Sequence, residues 1–169
     1  MVSRSKMIKK SMGKYILLFS WDISNPKSSV RLEKSEELRR LMKLAELNHW
    51  EVDLKKLLSE EYKTVVLTDL NLEILYVNQG FHAMTGYTPD FAIGRKPTFL
   101  QGNSPSATVT KKFRENLTSG RRFTESIVNY RQNGEEYVSQ ISIVPLFNSS
   151  KILSHYLALE NEVQAGFLG

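Results

Sequence analysis

Gly94-Arg95-Lys96-Pro97-Thr98-Phe99-Leu100-Gln101-Gly102 is closed by a glycine at each end, and its surroundings decide the fold. Pro97 fixes its own φ and biases Lys96 away from helix. Upstream lie Tyr76-Val77-Asn78-Gln79-Gly80-Phe81 and Thr85-Gly86-Tyr87-Thr88-Pro89. They predict a helix from about Gln79 to Thr85 and a shorter one from about Pro89 to Ile93. Gly86 and Gly94 stop these helices, because glycine accepts the positive φ of a helix C-terminus. Downstream, Ser104-Pro105 pairs a capping residue with proline at the first helical position and opens a longer helix. Val109, Phe113 and Leu117 mark its buried face, and Gly120 ends it.

Strands flank this helical middle. Lys63–Thr68 and Glu73–Asn78 read as two strands joined at Asp69-Leu70-Asn71. Three more follow, at roughly Arg122–Arg131, Glu136–Phe147 and Ile152–Asn161. Gln132-Asn133-Gly134 predicts a hairpin, because Asn-Gly suits a type I′ turn. Asn148-Ser149-Ser150 makes the second hairpin. Two strands, a helical middle and a three-strand meander define an α+β fold, an antiparallel sheet with helices on one face.

At 169 residues the chain holds one ordinary domain and an extension. Apolar content of 41% and charged content of 24% are those of a soluble globular protein. The absence of cysteine removes disulfides, thiolate catalysis and cysteine-ligated metals. The net charge of +5 is concentrated in an N-terminal arm, residues 1–31. There Arg4, Lys6, Lys9, Lys10, Lys14, Lys27 and Arg31 face Asp22 alone. The arm is read as a solvated tail or as a contact for an acidic partner, nucleic acid or a membrane surface. Tyr15–Trp21 imitates part of a signal peptide, but Asp22 interrupts it and no cleavage pattern follows, so a cytoplasmic protein is expected. Residues 14–23 fit a strand or a short helix, and Ser24-Asn25-Pro26-Lys27-Ser28-Ser29 reads as a turn or linker.

From 32 to 61 the pattern is helical. Leu38, Leu41, Met42, Ala45 and Trp50 recur at helical spacing, and Asn48-His49 and Asp53 suggest a break into two helices. Val52, Leu54, Leu57 and Leu58 would form the apolar side of the second. The stripe either packs on its own domain or receives a partner, with Leu38 and Met42 as candidate contacts.

In this order the pieces over residues 62–163 resemble a PAS domain, and Phe99-Leu100-Gln101-Gly102 resembles the flavin-binding LOV branch of that family. The resemblance implies a five-stranded sheet in the order 2-1-5-4-3. Residues 164–169 remain as a tail. Period-two alternation puts Phe123, Ile127 and Asn129 on one face, as it does Tyr137, Ser139, Ile141 and Ile143, and Tyr156, Ala158 and Glu160. In LOV domains this face holds the flavin ring, gripped by two asparagines and a glutamine. Asn129 matches the first asparagine, Ser139 stands at the second, and Glu160 stands at the glutamine.

The LOV pattern Gly-x-Asn-Cys-Arg-Phe-Leu-Gln is altered further. Lys96 replaces the asparagine, Pro97 the reactive cysteine and Thr98 the arginine that pairs with the flavin phosphate. Gln101, Asn78 and Asn129 remain of the polar set. Cysteine adduct chemistry is therefore excluded, and no cofactor is expected, with FMN or another small ligand as the alternative. An inward Glu160 needs a partner or a proton, and Lys96 or His82 could serve. Alternatively the last strand stops before Glu160 and leaves it in solvent. His49, His82 and His155 show no metal-ligand spacing, and no nucleophile–base or phosphate-loop motif appears, so no enzyme is expected.

The reading is a stand-alone PAS sensor or regulatory module acting through a protein partner or a homodimer. The alternatives are an accessory subunit docking through its basic arm and flanking helices, and a flavin photosensor that forms no adduct. The candidate pocket is Asn78, Lys96, Pro97, Gln101, Asn129, Ser139 and Glu160. Its interior is expected to be either open to a small ligand or plugged by its own side chains.

Overall fold

The structure, a computed structural model, describes residues 26–102 and 107–164. The chain divides into two compact units, Met1–Lys43 and Leu44–Gly169. Arg4, Lys6, Lys9, Lys10 and Lys14, the 14–23 segment and the Ser104-Pro105 helix start lie outside the described residues.

Helix α1 spans Pro26–Asn48. It begins inside the segment that composition assigned to a linker. Proline is compatible with the first helical turn, where its missing N–H has no partner to lose. Along α1, Glu37 and Leu41 are buried, Leu38 is half-buried, and Leu32, Met42 and Leu47 are exposed.

In the second unit the break falls after Asn48, where His49 takes a φ of 53°. Trp50 then forms a backbone bridge to Asn148. Its indole N–H donates toward Ser154 Oγ at 3.1 Å and His155 Nδ1 at 3.2 Å. Helix α2 (Leu54–Leu57) starts at Asp53, whose side chain accepts from the Lys56 N–H, and buries Leu54 and Leu57.

The sheet comprises β1 (Thr64–Thr68), β2 (Ile74–Val77), β3 (Phe123–Tyr130), β4 (Glu136–Phe147) and β5 (Leu153–Val163), all antiparallel, in the order β2-β1-β5-β4-β3. Between β2 and β3 come α3 (Gln79–Thr85), α4 (Pro89–Ala92), a 3₁₀ turn at Pro97–Gln101 and α5 (Ala107–Thr118). Gly86 and Gly94, both at φ 78°, end α3 and follow α4. The apolar core between sheet and helices includes Val66, Ile74, Phe81, Leu100, Ile141 and Ala158. A side chain of this size contributes roughly 1.5–3 kcal/mol when fully buried.

Two further expectations change. Strand β5 runs through Glu160 to Val163, so Glu160 does not lie beyond the sheet. The β3–β4 turn is not type I′. Only Gly134 takes a positive φ there, 86°, and its N–H donates to the Arg131 carbonyl at 2.9 Å. A three-residue loop favours a type I turn followed by one left-handed residue. The β1–β2 and β4–β5 hairpins repeat this design, with Leu72 (φ 64°) and Lys151 (φ 60°) in the place of Gly134.

Candidate ligand-binding site

Four strands present alternate residues to one cavity: Val66 and Thr68 from β1, Tyr156, Ala158 and Glu160 from β5, Ile141 and Ile143 from β4, and Ile127 and Asn129 from β3. The register makes this face continuous, since Glu160 lies between Thr64 and Ile141 and Ala158 between Val66 and Ile143. Leu72 and the 94–102 segment close one side. That segment is held by backbone bonds from Gly94 N–H to the Ile74 carbonyl and from Ile74 N–H to the Arg95 carbonyl. Phe113, Arg114 and Leu117 of α5 close the other. The Asn116 side chain fixes α5 to β3 by donating to Glu125 Oε1 at 3.0 Å.

The enclosed volume is about 310 Å³. The interior is therefore open and not plugged by its own side chains. It sits at the small end of the roughly 300–1,000 Å³ typical of small-molecule sites.

Most of the lining is apolar. Its polar groups are Thr68, Lys96, Thr98, Gln101, Arg114, Asn129, Tyr156 and Glu160. Glu160 is 6% exposed, and the Ser139 hydroxyl donates to its Oε2 at 3.1 Å. Burial pushes the Glu160 carboxyl up to about 7, and the weaker pull of the Ser139 hydrogen bond does not offset it. Its partner is thus neither Lys96 nor His82. His82 is exposed, with Nδ1 3.1 Å from the Tyr87 carbonyl, and Lys96 lines the cavity without an ion pair among the described residues. Asn129 Oδ1 and Thr68 Oγ1 are buried without a hydrogen-bond partner among the described residues, and the Tyr137 hydroxyl is buried beside the Asn129 amide. Burial, with the Glu160 carboxyl nearby, raises the Tyr137 hydroxyl well above the usual phenol range and keeps it neutral.

The candidate pocket residues divide. Lys96, Pro97, Gln101, Asn129 and Glu160 line the cavity, and Ser139 touches it through Glu160. Asn78 does not line it. It caps α3, accepting from the Phe81 N–H at 3.2 Å and the Val65 N–H at 3.0 Å, and donating to the Lys63 carbonyl at 3.2 Å. An asparagine before a helix has its oxygen within reach of free backbone donors, which explains the capping role. Thr68, Leu72 and Arg114 were missed. Thr68 follows Val66 at strand spacing, and Arg114 precedes Leu117 by three, so periodicity alone could have found both.

Of the flavin contacts implied by the LOV resemblance, Gln101 and Asn129 reach the cavity and the others are not reproduced. No thiol exists, Pro97 lines the cavity where the cysteine would stand, and the positions of the second asparagine and the glutamine are tied to each other as Ser139 and Glu160. A flavin ring edge needs partners that both donate and accept, and Glu160, held at about 7, donates only while it keeps its proton and is already engaged by Ser139. The donor set does not fit a flavin held in the LOV manner.

A family model described as a PAS domain matches residues 63–164, and the chain belongs to that family. Phototropin-2 of Oryza sativa subsp. japonica is 31% identical over 114 residues, covering 66% of this chain and 13% of its own length. A blue-light photoreceptor of Listeria innocua serovar 6a is 30% identical over 102 residues, covering 59% of this chain and 40% of its own. The dark structure of the blue-light photoreceptor aureochrome1 LOV superposes with a TM-score of 0.63 at 28% identity, covering 69% of this chain and 87% of that one. The chain therefore resembles the LOV branch of the PAS family and spans only a small part of the first of these curated relatives. Among the described residues no helix is long and apolar enough to cross a membrane.

Proposed function

We propose that this PAS domain is a sensory or regulatory module that works without LOV cysteine photochemistry and passes its signal by contact with a protein partner or a second copy. The observation that carries this reading is Pro97 at the cavity wall, with Ser139 bonded to Glu160 where a flavin would need amides. A module of this kind does no chemistry on its ligand. Occupancy of the cavity would change the packing of the 94–102 segment and of the strands that line it. Exposed Leu32 and Met42, both on the part of α1 that belongs to the first unit, support an output surface there.

The test is the absorption of the purified chain, supplemented with FMN, before and after blue illumination. The reading expects no reversible bleaching of a flavin band. Bleaching that recovers in the dark would contradict it. For the output, light scattering on the wild type and on Leu32→Glu/Met42→Glu should show a loss of self-association or of partner binding. No change in either would remove α1 from the account.

A further inference from the structure

The segment that follows α1 is tied to the β4–β5 hairpin through one shared hydrogen. An indole N–H can only donate, so His155 Nδ1, 3.2 Å from it, must accept and carries no proton of its own. The imidazole is thereby fixed as the neutral tautomer with its proton on Nε2. Ser154 Oγ takes the other share of the N–H at 3.1 Å. It donates its own hydrogen to the Leu146 carbonyl at 3.1 Å and lies 3.0 Å from His155 Nδ1. The two rings meet edge to face with centroids 5.0 Å apart. Trp50 is 8% exposed, so water has little access to the bond.

This bond sits at a joint. His49, just before Trp50, holds a φ of 53°, a region that residues with a side chain rarely occupy. On one side, the Trp50 backbone N–H donates to the Ala45 carbonyl at 2.9 Å, which ties it to the end of α1 that belongs to the second unit. On the other, the Glu51 N–H donates to the Phe147 carbonyl at 2.9 Å. Few charged or titratable groups surround the imidazole. Asp69, from the β1–β2 turn, favours its protonation, and Glu51 is engaged by Lys151 of the β4–β5 turn. His49 is exposed, and the strand residues beside His155, Leu146 on β4 and Thr68 on β1, carry no charge. Burial outweighs Asp69 and holds His155 below the ordinary 6.5.

We propose that Trp50 and His155 form an acid-sensitive latch. A proton on His155 Nδ1 turns an acceptor into a donor aimed at the indole N–H, and residues 49–53 then loosen from the β4–β5 hairpin together with the last turn of α1. Two donors cannot share the bond, so the indole N–H is left to Ser154 Oγ alone. That oxygen already donates to Leu146 and must now accept from the imidazolium as well. A cation is left beside a largely buried ring edge, which disfavours the docked arrangement. The released segment takes the proton more readily than the docked one. Docking is therefore complete above about pH 6.5 and weakens as pH falls below it. Glu160 has the opposite sign, so acid tightens the core while it loosens this segment. The latch needs no ligand in the cavity and stands apart from the functional reading above.

Hydrogen exchange of the full chain at pH 8 and pH 5, read by mass spectrometry and corrected for the pH dependence of chemical exchange, tests the latch. The expected result is an about tenfold loss of protection at pH 5 in peptides spanning residues 49–53, with no loss in β1. His155→Asn keeps an acceptor near the Nδ1 position but does not titrate, and it should abolish the change. Trp50→Phe keeps a ring and removes the N–H, so its segment should be less protected at both pH values and equally so. An unchanged wild-type segment between the two pH values would overturn the inference, and so would the same acid loss in either variant. Equal loss in β1 and in residues 49–53 would mean that the whole domain opens, and would overturn it too.

Discussion

The Ser139 hydroxyl donates to Glu160 Oε2 across 3.1 Å, joining β4 to β5 beneath the cavity. These are the two positions at which the LOV resemblance places an asparagine and a glutamine. A pair of amides that would address a ligand edge is replaced by a hydroxyl and a carboxyl that address each other. The remaining carboxyl capacity faces an apolar space, and this sets the behaviour of the site.

The pairing predicts a pH dependence of stability. Burial holds the Glu160 carboxyl at about 7, against 4.5 for an ordinary glutamate. The folded chain therefore binds this proton more tightly than the unfolded chain. The resulting stabilisation is complete below pH 4.5 and is lost as pH rises through about 7, with a size of about 3 kcal/mol. Glu160→Gln keeps the shape and removes the titration. Thermal melts at pH 5 and pH 8 should show the wild type losing several degrees relative to this variant. The effect of His155, lowered by burial, has the opposite sign and is common to both proteins, so it cancels in the difference. Tyr137 stays neutral across this range. Parallel melts of the two proteins would contradict the burial of Glu160.

Asn78 is predicted to act on stability and not on ligand binding. Its side chain joins β1 to the start of α3 through Val65, Phe81 and Lys63. Asn78→Ala should cost about 1–2 kcal/mol, the usual range for a lost helix cap. Urea unfolding measures this, with a lower midpoint expected for Asn78→Ala than for the wild type.

Gly80 admits no side chain. A Cβ there would lie 1.8 Å from the Lys63 carbonyl oxygen, which already accepts from Asn78. Backbone must shift, so Gly80→Ala should destabilise by about 2–3 kcal/mol. Gly134→Ala, in contrast, meets no atom within 4 Å and strains only the backbone at φ 86°. It should cost about 1–2 kcal/mol. Equal denaturation midpoints for the two variants would show that the Lys63 contact is not tight.

Restoring the thiol alone should not restore photochemistry. Pro97→Cys leaves Lys96, Thr98, Ser139 and Glu160 in place, and it also frees the φ that proline fixes. With added FMN and blue light, the variant is expected to show no reversible bleaching. An adduct in this single variant would show that the other replacements leave flavin contacts intact.

Much of this site is legible in the sequence because a strand alternates its faces. That rule places Ile127, Asn129, Ile141, Ile143, Tyr156 and Ala158 on the cavity before any contact is known. It does not say where a strand ends, and so left Glu160 open between core and solvent. The decision came from pairing: β5 keeps its register with β4 as far as Val163. The Asn133-Gly134 turn misled because the dipeptide fits two loop lengths, and only strand register selects between them. Pro26 misled because proline serves both turns and helix starts. Arg114 went unnoticed because the helix was read for its apolar face, and a cation at a cavity mouth belongs to neither side of that division.

The most direct measurement is a fluorescence titration of FMN against the wild type and against Ser139→Asn/Glu160→Gln. The account places the loss of flavin contacts at this pair. It predicts no saturable uptake by the wild type and measurable uptake by the double variant. Stoichiometric binding of FMN by the wild type would contradict it.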